Sequence, residues 1–378
     1  MNAPQSRISK PPVVARLMLP NDANPAGNIH GGTILQMMEQ AGAIAATRFC
    51  NRGPDSDSDS DDDEFRDQKV AFLASMDNMS FYSPMYVGEV AALTAEVVFT
   101  SDRSALVKVV VTAEDVVKGK TRITNSGRLW YLSTVPPLDG ATANFEPLSV
   151  PQISPPSPQV QCGEALAEYE EARHLYEARK RKKCGSDAAT DGNSCPGFGR
   201  VCLCPTCRES YHPPPNGGGH SPLDLRQTLC QVVNPGDCGF RGKLACGGFV
   251  MKLMDSASGC AAIRHCCSNV VTASISTMEF TAIVCLGDVV TVHATPTFAS
   301  SRSMEIAATA SVTSSTRKDV IVARGFFTFV TIDRGGKVGL IPPLIFHGEA
   351  DFCPAFAGQI RYEESKKARL ALKKKGGN

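Results

Sequence analysis

Two Gly-Gly pairs, each followed seven residues later by an acidic residue, form the pattern in this chain that could support chemistry. A Gly-Gly pair that opens a helix leaves backbone N–H groups unpaired, and these can polarise a carbonyl or hold an oxyanion. Two helical turns later a carboxylate returns to the same face, where it can activate water or attack as a nucleophile. An isolated acid on such a helix would more often face solvent, but the repetition favours a functional role. The residues concerned are Gly31, Gly32 and Glu39 in the first pattern and Gly247, Gly248 and Asp255 in the second.

The two patterns belong to an internal duplication. Residues 31–42 match 247–258 at an offset of 216, and the motif at Gly127 recurs at Gly325 at an offset of 198. Self-similarity in a constant order is the mark of a repeated structural unit. The shrinking offset indicates a long insertion in the first copy, for which the acidic segment 54–67 is the candidate.

Each copy has the pattern of one helix followed by several strands. Apolar residues between Ile34 and Ala45 recur at helical spacing, and the helix is rich in Ala and Gly, which suits close enclosure. A buried helix against an antiparallel sheet predicts an α+β layer architecture. The β-rich runs that follow the two helices are 70–81, 87–99, 105–114 and 122–132, then 270–280, 287–298, 304–312 and 318–331.

Composition limits the class of protein. Among 378 residues, 39 Lys and Arg offset 38 Asp and Glu, so no global field points to nucleic acid as a partner. No apolar run approaches the roughly 20 residues that would span a bilayer, and the N-terminus lacks a signal-peptide pattern. We therefore expect a cytoplasmic protein without stable membrane insertion, with mitochondria as the alternative compartment, and its 15 cysteines as free thiols.

The segments outside the repeats differ from them in composition. A charged helix over 163–183 has its acids first and its bases last, as the helix dipole favours. The Cys-rich insert after it offers Cys202, Cys204 and Cys207 to zinc, but only one clean CxxC pair, so a disordered insert without metal is favoured and no cofactor is expected. The predicted division is a domain at 1–135, a linker at 136–224, a domain at 225–340 and a basic tail at 341–378.

The tandem motifs GNIHGGTILQMMEQAG and CGGFVMKLMDSASG, with PNDANPAGN upstream, resemble the cytosolic acyl-CoA thioesterases of the brain acyl-CoA hydrolase type. The resemblance covers roughly residues 16–132 and 230–335. It implies two tandem hotdog domains, each a long central helix wrapped by a curved antiparallel sheet, which pair within one chain. It further implies hydrolysis of fatty acyl-CoA to fatty acid and coenzyme A, and a homo-oligomer that is a trimer of tandem hotdogs.

The family pattern predicts one competent site per chain. In the family an Asn from one loop faces an acid on the other domain's helix. Asn24 and Asp255 supply this pair, whereas the second pseudo-equivalent position has Gly239 and Glu39. We expect the Gly247 and Gly248 amides to hold the thioester oxygen in the Asp255 site, with Gly31 and Gly32 as their counterparts in the other copy.

Further residues extend or depart from the pattern. Cys246 stands where the family has a His, and copy two carries one extra residue between Gly242 and Gly247. His30 is expected to be structural, and Trp130 and Tyr131 to be core residues. Two Arg-Ser pairs at matching strand starts could bind coenzyme A phosphates, with a solvated turn as an equal alternative. These pairs are Arg103-Ser104 and Arg302-Ser303.

Two other functions compete with hydrolysis. A degenerate tandem hotdog could bind acyl-CoA with little turnover, but the presence of both Asn24 and Asp255 favours an enzyme. A hotdog dehydratase would need a His–Asp pair in each site, which neither copy provides.

Overall fold

The computed structural model describes residues 13–25, 27–51, 69–77, 79–135, 146–153, 155, 163–186, 220–239, 242–333, 337–346 and 349–375. The helices are α1 Gly31–Cys50, α2 Gly163–Ser186, α3 Pro222–Leu225, α4 Gly247–Cys266 and α5 Glu349–Lys375. The strands of the first copy are β1 Val13–Leu17, β2 Val70–Met76, β3 Met79–Phe81, β4 Val90–Thr100, β5 Ser104–Asp115 and β6 Lys120–Thr134. Those of the second are β7 Gln227–Val232, β8 Val270–Ile275, β9 Met278–Phe280, β10 Val289–Ala299, β11 Met304–Thr313 and β12 Val320–Thr331.

The strands of both copies form one antiparallel sheet in the order β1-β4-β5-β6-β2-β9-β12-β11-β10-β7. The copies meet where β2 pairs with β9 and β3 pairs with β8. Matching irregularities recur in each copy, because the register shifts between Val97 and Phe99 in β4 and between Pro296 and Phe298 in β10. A bulge at the same place in both copies bends the two halves of the sheet in the same way. The duplication therefore extends to the curvature of the sheet around each central helix.

The strand predictions are confirmed, apart from the edge strands. Eight predicted runs correspond to ten observed strands, because 70–81 and 270–280 each divide into two. The edge strands β1 and β7 were not predicted, because each is short and precedes its Gly-Gly motif. No helix in the described ranges is long and apolar enough to cross a membrane.

The central helices α1 and α4 cross in close contact, and their glycines allow it. A Cβ on Gly32 would lie 2.9 Å from Lys252 Cα, and a Cβ on Gly248 would lie 2.7 Å from Gln36 Cα. The N-terminus of each helix thus lies against the body of the other. This reciprocal crossing places a residue from the middle of one helix beside the first turn of its partner.

The linker helix α2 packs on the outer face of the half of the sheet that the first copy forms. Its Tyr176 ring lies 5.7 Å from the Phe99 ring, and its Arg179 guanidinium lies 5.3 Å from the Trp130 ring centre. Ion pairs from Lys108 to Glu168 and from Arg128 to Glu171 flank this cluster. The charged segment is therefore part of the first domain's packing rather than a free connection.

The predicted basic tail contains a corresponding helix, α5, which packs on the half of the sheet that the second copy forms. Tyr362 contacts Phe298, the counterpart of Phe99, with ring centroids 5.3 Å apart. Arg361 forms a bidentate ion pair with the buried Glu305 and lies 3.6 Å from the Phe326 ring centre. The part of α5 around Arg361 and Tyr362 is thus docked on the sheet, while residues 363–367 are exposed, and each copy carries an additional outer helix.

Candidate active site

The loop before α1 is tied to the first turn of that helix. Asn24 N–H donates to Asn28 O at 2.8 Å, and His30 N–H donates to Asp22 O at 2.8 Å. Gly27, in this loop, adopts φ +85°, which an L-residue with a side chain rarely does. The loop is thereby tied back to the start of α1, and Asn24 within it is half-buried.

Asp255, from the middle of α4, lies at the N-terminus of α1. Its Oδ2 accepts a 2.7 Å hydrogen bond from Gly32 N–H, and its Oδ1 accepts one of 2.7 Å from the Thr272 hydroxyl. The residue is 1% exposed. Burial of a carboxylate is costly unless it is hydrogen-bonded, and the positive end of the α1 dipole adds further stabilisation. The site is therefore built from both domains.

His30 caps α1 and borders the same carboxylate. Its Nδ1 accepts a 3.1 Å hydrogen bond from Gly32 N–H and lies 3.2 Å from Asp255 Oδ2. The ring therefore contacts both the first turn of α1 and the Asp255 carboxylate. The expectation of a structural His at a helix start agrees with this geometry.

Thr272 is a site residue that the sequence analysis missed. It lies in β8, is 9% exposed, and would contact a Cβ on Gly31 at 2.7 Å. Its counterpart in β2 is Leu73, because both precede the same bulge opposite β12 and β6. When the two copies are aligned, Thr272 of copy two corresponds to Leu73 of copy one. This difference in polarity could have indicated the site from the sequence.

The sequence prediction paired Asp255 with the wrong glycines. The amide hydrogen-bonded to Asp255 belongs to Gly32, while Gly247 and Gly248 face Glu39. The physical reason is distance along a helix, since seven residues rise about 10 Å and a carboxylate cannot reach the first turn of its own helix. Each acid therefore lies at the N-terminus of the other central helix and accepts hydrogen bonds from its amides.

The second pseudo-equivalent position keeps an acid but lacks the other polar side chains of the first. Gly239 replaces Asn24, Cys246 replaces His30, Leu73 replaces Thr272, and Glu39 replaces Asp255. Burial raises the pKa of Glu39 to about 7, against a smaller lowering by the Gly248 and Gly247 amides. Burial, with Glu39 nearby, raises the pKa of Cys246 to about 12, so its thiol is protonated and poorly nucleophilic.

The loop of copy two retains the outline of its counterpart. Gly239 N–H donates to Leu244 O at 2.9 Å, as Asn24 N–H does to Asn28 O, and Gly242 at φ +67° matches Gly27. One more residue separates the bonded pair in copy two. The extra residue is therefore Lys243, just after the turn glycine.

The predicted coenzyme A contacts lie on two equivalent β-turns. The Ser104 hydroxyl is 2.6 Å from the Ser101 hydroxyl, and Ser303 is similarly 2.9 Å from Ser300. Arg103 and Arg302 are exposed at these turns. The serines thus stabilise the turns by hydrogen bonds. Phosphate binding by the two arginines stays a prediction.

The insert cysteines Cys202, Cys204 and Cys207 lie outside the described residues, as does the acidic segment 54–67. Within the residues that the structure describes, no group of three His, Cys, Asp or Glu side chains is arranged to hold a metal ion.

Glu39 should make folding stability depend on pH. Its folded-state pKa of about 7 lies above the unfolded value of 4.5, so the folded chain keeps a proton that the unfolded chain releases. The free energy of unfolding should fall, on the order of 3 kcal/mol, as pH rises from about 4.5 to about 7. Thermal unfolding at about pH 5 and pH 8 should show this fall to be smaller in Glu39→Gln than in the wild type. Parallel profiles would contradict it.

Comparison with known proteins shows the family of this chain. The model of the Thioesterase superfamily matches residues 26–120 and 243–316. The human cytosolic acyl coenzyme A thioester hydrolase is 33% identical over 366 residues, which covers 96% of this chain and 83% of the human protein. This chain belongs to that family. The sequence-based resemblance and the tandem hotdog fold are thereby confirmed.

Two solved structures that resemble this chain each cover less than half of it. An apo-hexameric acyl-CoA thioesterase is 26% identical, covering 46% of this chain and 92% of that chain, with a TM-score of 0.35. An acyl-CoA hydrolase from Staphylococcus aureus, in complex with butyryl coenzyme A, coenzyme A and coenzyme A disulfide, is 24% identical. It covers 41% of this chain and 94% of that chain, with a TM-score of 0.38.

Proposed function

We propose that this chain hydrolyses fatty acyl-CoA to a fatty acid and coenzyme A at one site per chain. The observation that carries the proposal is the buried Asp255 carboxylate of one domain at the α1 N-terminus of the other, bonded to Gly32 N–H at 2.7 Å. Membership of the cytosolic acyl coenzyme A thioester hydrolase family supports the choice of substrate.

Asp255 acts as the base or the nucleophile of this reaction. As a base it takes a proton from water, whose oxygen then bonds to the thioester carbonyl carbon. The C–S bond breaks and coenzyme A leaves as a thiolate, which needs little protonation because thiols are acidic, with a pKa of about 8.5. As a nucleophile it forms a mixed anhydride that water hydrolyses to the same products. Both routes consume one water per thioester.

The N-terminus of α1 supplies the positive potential. The first N–H groups of a helix have no partner within that helix, so the Gly31 amide can polarise the thioester carbonyl while Gly32 N–H holds Asp255. The Asn24 side chain, which belongs to the loop before this turn, is assigned the role of orienting water or the carbonyl. Gly31 and Gly32, rather than Gly247 and Gly248, are the glycines of this mechanism.

Thiol release from palmitoyl-CoA tests the function directly. Wild-type chain should release coenzyme A at a rate well above the uncatalysed reaction, and Asn24→Ala should lower that rate. A chain that binds palmitoyl-CoA without releasing thiol would instead be an acyl-CoA-binding protein, which is the alternative that the sequence left open.

Thr272 is a positioning residue for Asp255, and its hydroxyl should affect kcat more than KM. Removing a hydrogen bond to a charged group costs about 1.5–3 kcal/mol, so Thr272→Val should lower kcat by at least about tenfold. Thr272→Ser, which retains the hydroxyl, should recover most of the rate. Equal rates in the Val and Ser variants would show that the hydroxyl does not orient the carboxylate.

The partners and location follow from the same assignment. We propose a homo-oligomer that is a trimer of tandem chains and would contain six hotdog domains; a similar acyl-CoA thioesterase is named as hexameric. Light scattering that gives the mass of one chain at micromolar concentration would exclude it. The human relative is named a cytosolic protein, and a cytosolic location is proposed for this chain.

A further inference from the structure

The second pseudo-equivalent position contains a cavity of about 370 Å³. Sites for small molecules commonly measure about 300–1,000 Å³ and are lined mainly by apolar side chains. This cavity lies between α1, β2 and the loop before α4. Its apolar lining includes Val14, Ile44, Phe72, Leu73 and Leu244.

Glu39 borders this cavity, and its side chain is evidence that the cavity binds a ligand. Its side chain is 3% exposed, and its Oε2 has no hydrogen-bond partner among the described residues. A buried polar atom without a partner is costly and calls for an explanation. A ligand atom that hydrogen-bonds Oε2 from within the cavity would supply one.

The lining also limits what the ligand can be. Among the described residues that border the cavity there is no Lys, Arg or His, so none of them would neutralise the phosphates of coenzyme A. Since burial raises the pKa of Glu39 to about 7, a fraction of these groups is protonated near neutral pH and can donate a hydrogen bond. These features favour a hydrocarbon chain with a single small oxygen-bearing head group.

We propose that this cavity is a non-catalytic binding site for a single-chain fatty acid, whose chain packs on the apolar lining and whose carboxyl group hydrogen-bonds Glu39. The choice of a fatty acid rests on the proposed function, because fatty acids are the products of that reaction. The apolar site itself does not depend on it. Leu73 and Cys246, which replace the polar Thr272 and His30, make this position a place where such a molecule binds without being processed.

Photo-crosslinking with a diazirine-tagged dodecanoic acid tests the proposal on the full chain. Mass spectrometry should find crosslinks in the peptides of residues 39–44, 70–73 and 244–247, and excess dodecanoic acid should compete with them. The same crosslinks should form in Asp255→Asn, whose loss of hydrolysis is measured separately, so the site and the reaction can fail independently.

A cavity-filling variant provides the decisive comparison. Ala43 is 7% exposed and borders the cavity, so Ala43→Phe should reduce these crosslinks at least about fivefold by occupying the space. Its counterpart in copy two is Gly259, and Gly259→Ala should leave the crosslinks unchanged. Ala245→Leu fills the cavity from the loop if Ala43→Phe does not fold. Crosslinks confined to peptides around His30 and Asp255, no crosslinks, or crosslinks that persist in the filled variants would overturn the proposal.

Discussion

Asp255→Asn is expected to lower kcat/KM for palmitoyl-CoA by at least about a hundredfold, since the amide can neither accept a proton nor attack the thioester. The substitution keeps the shape of the side chain and one oxygen that can accept from Gly32 N–H or from the Thr272 hydroxyl. The loss should therefore appear in the rate rather than in folding. Steady-state thiol release, with thermal unfolding measured in parallel, gives both quantities.

The matched comparison for this prediction is Glu39→Gln, which makes the same chemical change at the pseudo-equivalent position. It should lower kcat/KM by less than about threefold, because that position lacks counterparts of Asn24, His30 and Thr272. Equal losses in the two variants would mean that both positions catalyse the reaction. No loss in either would remove Asp255 from the mechanism.

Gly248→Ala is expected to destabilise the chain by about 2–3 kcal/mol, because its Cβ would meet backbone across the helix crossing. The nearest atoms would be Gln36 Cα at 2.7 Å and Gln36 O at 3.1 Å, and neither belongs to a flexible side-chain end. The two central helices would have to separate slightly. Thermal unfolding should show a midpoint several degrees below that of the wild type.

Gly259→Ala, in the same helix, is the control for this substitution. A Cβ there would meet only the Phe329 ring, at 3.7 Å, which is an ordinary contact. Ala is favoured over Gly inside a helix by roughly 1 kcal/mol, so this variant should be as stable as the wild type or more stable. If both substitutions lower the midpoint equally, the close crossing is not the cause.

Much of the fold could be predicted from the sequence because two copies repeat the same pattern. Strands with alternating or β-rich composition were located to within a few residues, and the helix from Gly31 to Cys50 followed from its periodicity. The edge strands β1 and β7 were missed, since each is stabilised by pairing with a distant strand, β4 or β10. The docking of α5 was missed because its contacts, such as Arg361 with Glu305, join residues far apart in the chain.

The residues of the candidate site were chosen from the sequence, but their arrangement could not be predicted from it. The choice of Asp255 and of the Gly-Gly motif came from residue types, but which amides face which acid depends on how two helices cross. Sequence spacing already excluded a contact within one helix, because seven residues rise about 10 Å. Thr272 was missed because a Thr in a β-strand is ordinary until its hydroxyl is seen to donate to Asp255.

The reciprocal helix crossing has a consequence for how the chain diverged. In a homodimer of one hotdog domain, twofold symmetry makes both sites identical, and any substitution changes the two at once. Covalent duplication removes that constraint. Each position here takes its acid from one half and its helix N-terminus from the other. The two positions therefore consist of different residues, Glu39, Leu73, Gly239 and Cys246 at one and Asp255, Thr272, Asn24 and His30 at the other. In a chain that contains both halves, a substitution at one position therefore leaves the other position unchanged.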